Sequence, residues 1–111
     1  MTDRIVTDEQ VELALDWLRD NAAAIGEAKR QAVQTEKMVK HIEALMMKAH
    51  SALPVAAQKR EAQASDRYKT ALFAEAEAAG AYEAMKSLRE AAALKIEVWR
   101  TSSANYRSMK L

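Results

Sequence analysis

The groups in this sequence able to do chemistry are few, and their spacing says more than their number. His41 and His50 stand nine residues apart, with neither an H-E-x-x-H nor an E-x-x-H pattern around them. Metal ligands on one helix recur three or four residues apart, so the two histidines do not form a shared site. Cysteine is absent, which removes thiolate nucleophiles, disulfides and thiolate metal sites. Glu75 and Glu77 are two apart and point to different helix faces, while Asp8 with Glu12 reads as a solvated first turn. Gly26 and Gly80 are isolated, so no glycine-rich phosphate loop is present. The expectation is a chain without catalytic residues, cofactor, metal or small-molecule substrate.

Binding chemistry is better represented. The stretch "KREAQASDRYK" sets Lys59, Arg60, Arg67 and Lys69 beside Tyr68, and "KIEVWRTSSANYRSMKL" sets Arg100, Tyr106, Arg107 and Lys110 behind Trp99. A single-stranded nucleic acid calls for such interleaving, because cations track its phosphates while aromatic faces accept its bases. The structural alternative makes Trp99 part of the core, and Arg107 and Lys110 ordinary C-terminal cations favoured by the helix dipole. Register favours a structural Trp99, with the gripping residues after it.

The net charge of +1 fits neither a histone-like polycation nor an acidic DNA mimic. Its distribution is uneven: residues 1–27 carry seven acids and two bases, whereas residues 28–70 carry nine bases and four acids. Either the acidic segment packs beside the basic one, or the basic stretch faces an anionic partner.

The elements that must carry these side chains are helices. Twenty-four alanines, one Phe, two Gly and one Pro describe long helices with a core of small side chains. Thr7 and Gln10 form a capping box, with Asp8 and Glu9 where the helix dipole favours acids. Val11, Leu15, Leu18, Ala22 and Ile25 follow as one face. Trp17 falls off that face beside Leu13, where it either widens the stripe or meets a partner. Gly26 and the caps available at Asp20 and Asn21 predict a kink or turn within residues 20–27. Beyond it Val39, Ile42, Met46 and Ala49 share a side, flanked by Met38 and Leu45.

"SALP" ends that helix, since the residue before Pro54 is pushed out of the α region. A second long helix is expected over residues 54–101, with Ser65 and Asp66 able to cap a fresh start. Ala71, Ala74, Ala78, Ala81, Met85, Leu88, Ala92 and Trp99 then alternate in steps of three and four, with Ile96 filling the gap at Lys95. This predicts a coiled-coil-like seam, and Tyr68, Leu72, Ala79 and Tyr82 make a second stripe able to serve another copy. Residues 102–111 carry no stripe and read as a polar tail.

At 111 residues the chain is expected to form one helical domain, near the size where three helices leave apolar surface uncovered. Self-association into a homo-oligomer follows as an expectation. The opening "MTDRIVTDEQ" has no apolar signal region and no window approaches a membrane span, which predicts a soluble, cytoplasmic protein without membrane contact.

"ASDRYKTALF" (residues 64–73) followed by "KIEVWRTSSANYRSM" (residues 95–109) resembles the C-terminal half of small helical proteins of tailed phages and prophages, whose genes commonly lie near those of single-strand annealing recombination proteins. The likeness covers residues 54–111, and residues 96–101 with Ala104 and Asn105 are its most specific part. It implies a phage origin and, through gene company, a part in DNA recombination or replication. Together these readings predict an all-α protein, a helical hairpin with a long Ala-rich helix, that oligomerises and binds a protein or DNA partner without catalysis. The alternatives are a single-stranded DNA-binding protein and a phage inhibitor that binds a host defence protein.

Overall fold

The computed structural model describes residues 5–110, with the Lys110 side chain outside that description. Among the described residues the fold is all-α: three helices, α1 (Asp8–Ala49), α2 (Val55–Gln63) and α3 (Asp66–Lys110), and no strand. Among the described residues no helix is long and apolar enough to cross a membrane.

Local chemistry sets the helix ends. Gln10 N–H donates to Thr7 Oγ1 at 3.1 Å and Thr7 N–H donates to Gln10 Oε1 at 2.9 Å, so each satisfies a backbone donor that the first turn leaves open. α1 then runs as one helix through residues 20–27, where a kink or turn is expected from sequence. Gly26 does not break it because its φ is not positive, and flanking Ala, Glu and Lys are strong helix formers. The chain reverses after Ala49 through turns closed by His50 N–H on Met47 O and Leu53 N–H on His50 O. Pro54 caps α2 from an extended conformation, ψ 153°. The long helix expected over residues 54–101 is divided at Ala64 and Ser65, where Tyr68 N–H donates to Ser65 Oγ at 3.2 Å and caps a new start. Residues 102–110, expected as a polar tail, continue α3.

The chain divides into two compact units, one combining Met1–Ile25 with Ala84–Leu111 and the other comprising Gly26–Glu83. In the first unit the start of α1 pairs with the end of α3. Val6, Val11, Ala14, Ile25 and Ala92 are buried, and Leu18, Met85, Ile96 and Trp99 are half-buried. In the second unit the remainder of α1 pairs with α2 and the start of α3. Val39, Ala62 and Ala71 are buried there, and Ala28, Ala32, Thr35, Ile42, Ala78 and Tyr82 are half-buried. Gln63 Nε2 donates to Glu43 Oε2 at 3.1 Å and ties α2 to α1.

The period of the seams is as expected, but the phase differs. On α1 the inward positions are Val11, Ala14, Leu18, Asn21 and Ile25; Leu15 is 51% exposed and Ala22 is exposed. On α3 Ala71, Ala78, Met85, Ala92, Ile96 and Trp99 face inward as expected, but Glu75 and Tyr82 stand inward in place of Ala74 and Ala81, and Ala74, Ala81 and Leu88 are exposed. The second stripe splits for the same reason: Tyr68 and Tyr82 turn inward, while Leu72 and Ala79 are exposed. Steps of three then four and steps of four then three give the same repeat, and a rotation of about 100° per residue decides which of two neighbours meets the opposite helix. Small side chains such as Ala14 and Ala92 let two backbones approach, and the helix turns its bulkier Leu15 outward.

Candidate functional site

In the first unit Arg100 and Arg107 fall on one face of α3. Arg100 and Arg107 are seven residues apart, about 10.5 Å along the axis, and with Ser103 they border a cleft that also touches Asp8 and Trp99. Trp99 Nε1–H donates to Asp8 Oδ1 at 2.6 Å, which joins the two ends of the sequence across 91 positions. Trp99, expected on the inner seam, is half-buried and not enclosed. Arg100 is ion-paired with Glu97 at 3.1 Å, and Tyr106 is 43% exposed. The cleft therefore presents two guanidiniums and a hydroxyl beside a carboxylate, an arrangement able to take one or two phosphates in competition with its own acids. Lys110 has its side chain outside the described residues.

The cluster in the second unit is not one surface. Lys59 and Arg60 are exposed on α2. Arg67 and Lys69 are two positions apart on α3, about 200° around the helix, so they point to opposite sides. Arg67 borders an apolar groove with Met38, Ile42 and Ala74, whereas Lys69 Nζ lies 5.6 Å from the Phe73 ring centre. Tyr68 is turned half inward. Cations and aromatic do not converge here, and the spacing that suggested a stacking platform breaks up once the helix phase is fixed.

Sequence reasoning missed the open flanks of the helix pairs. In the first unit Leu13, Ala14 and Trp17 of α1 face Leu88, Ala91, Ala92 and Lys95 of α3 across a groove of about 270 Å³. Leu13 is 62% and Leu88 is 52% exposed. In the second unit the comparable flank carries Ala28, Gln31 and Thr35 against Ala74, Ala78 and Ala81. On α1 alone Val33 and Met38, 38% and 42% exposed, form a furrow with Lys37 and His41. The one advance sign of these flanks was Trp17, which stood off the apolar face with no role inside the helix.

Short-range, exposed ion pairs on α1 join Arg19 with Asp16 and Asp20, and Arg30 with Glu27 at 2.6 Å. The Arg30 guanidinium, with Gln31 second, lowers Glu27 from 4.5 to about 2. Among the described residues no three His, Asp or Glu side chains stand where they could hold a metal ion. Set against protein-family models, curated proteins and solved structures, the chain matches none.

Proposed function

We propose that this protein is a non-enzymatic helical accessory factor of phage origin, acting in the host cytoplasm, that self-associates by coiled-coil-like packing and binds a protein or DNA partner in phage DNA recombination or replication. The observation that carries the association and binding is the composition of the two units. Their described cores consist of Val, Ile and Ala with no large side chain fully enclosed, while Leu13, Leu88, Leu94, Phe73 and Met38 stand on the surface. Exposed apolar side chains such as Leu13 and Leu88, which share one open flank, are what protein interfaces are made from. The phage setting rests on the resemblance of residues 54–111 alone.

Direct binding of single-stranded DNA is the second reading, favoured by the shared face of Arg100, Ser103 and Arg107. Affinity purification of the tagged chain from expressing cells, with and without nuclease, separates the two. Protein partners that persist after nuclease support the adaptor, including one that blocks a host protein. Partners lost with the nucleic acid, together with oligonucleotide binding by the purified chain, would replace it with the DNA-binding reading.

A further inference from the structure

We infer that a second copy of this chain seats on the open flank of the first unit, with α1 of each copy lying against α3 of the other. The inference deepens the proposed self-association by naming its surface and orientation, and it rests on that reading. Two observations carry it. The first is shape: Leu13 and Leu88, both more than half exposed, line a groove together with the buried Ala14 and Ala92. Exposed leucines beside buried alanines are complementary to a copy of themselves, because a two-fold axis brings each leucine over the partner's small residues.

The second observation is charge, which selects both the occupant and the arrangement. Within this unit the α1 portion, residues 8–25, carries five acids and one base, whereas the α3 portion, residues 84–110, carries six bases and two acids. The pair is thus polarised from one helix to the other, about −4 against +4. A partner must offer the reverse polarity across the same width, and a second copy turned about an axis parallel to the helices does so. The alternative two-fold, perpendicular to the helices, sets α1 on α1 and α3 on α3, acid on acid and base on base. The groove brings Gln10 of α1 and Lys95 of α3 to its lining. The favoured axis keeps positions at their own height along the helices, so Gln10 of one copy comes level with Lys95 of the other.

Because the chain has no cysteine, single-cysteine variants of the full-length protein report the arrangement directly. Gln10→Cys and Lys95→Cys proteins are mixed, oxidised and separated without reductant; a mixed dimer far exceeding either like-with-like dimer is expected. In parallel, sedimentation equilibrium at low micromolar concentration compares the unaltered chain with Leu13→Glu/Leu88→Glu. These side chains are already mostly exposed, so helicity by circular dichroism should hold while the dimer dissociation constant rises at least about tenfold. A dimer unaffected by the double substitution, or cross-linked preferentially by Leu13→Cys alone, overturns this placement and leaves self-association standing. A monomer at every concentration overturns both.

Discussion

Removing the hydrogen bond from Trp99 to Asp8 tests whether the first unit is held by its ends. The indole N–H donates to a carboxylate oxygen at 2.6 Å, a short contact to a group that is charged when ionised. A bond to a charged group contributes about 1.5–3 kcal/mol when shielded, but this one is solvent-accessible, which places it nearer about 0.5–1.5 kcal/mol. Trp99→Phe keeps most of the apolar contact and loses the donor, so it should cost about 1 kcal/mol. Asp8→Ala loses the acceptor and also an acid in the first turn of α1, a further ~0.3–1 kcal/mol. The half-buried indole covers roughly 100 Å² of apolar surface, so Trp99→Ala should cost about 3–4 kcal/mol with the bond included. Urea unfolding followed by circular dichroism, at one protein concentration because association adds to stability, gives the four corners of a cycle between Asp8→Ala and Trp99→Phe. A coupling of about 0.5–1.5 kcal/mol is expected. Single costs that add within about 0.3 kcal/mol would refute the idea that these termini are joined by this bond.

Three other outcomes follow from the same geometry. A Cβ at Gly26 or Gly80 would meet nothing within 4 Å and neither has positive φ, so Gly26→Ala and Gly80→Ala should each stabilise by about 0.5–1 kcal/mol, read as a higher melting temperature. Ala78 is half-buried in the seam while Ala81 is exposed, so Ala78→Leu should cost about 1–3 kcal/mol and Ala81→Leu should be near neutral in urea unfolding. Glu27 is lowered to about 2 from 4.5, so its contribution to stability is full above pH 4.5 and fades as pH falls toward 2; Glu27→Gln should flatten that part of the acid unfolding curve, and an unchanged curve would contradict the pairing with Arg30.

What the sequence alone determined is what short-range chemistry and periodicity can encode. Thr7 and Gln10 are three apart and found each other, as did Ser65 and the Tyr68 amide, because such caps need only the local helix to form. Pro54 marked the boundary before α2 by its own ring. Apolar spacing gave the all-α class and the repeat through Ala71, Ala78, Met85, Ala92 and Trp99. The tertiary structure decided the phase between those positions, placing Glu75 and Tyr82 inward and leaving Ala74, Ala81 and Leu88 on open flanks. Neighbouring residues fit the same alternation of threes and fours, and only the opposing helix distinguishes them. The helix register also separated Arg67 from Lys69, while gathering Arg100, Ser103 and Arg107 beside an Asp8 that is remote in sequence. A binding surface is a sum over two helices, and the positions that one contributes opposite the other are fixed by where small side chains let the backbones meet.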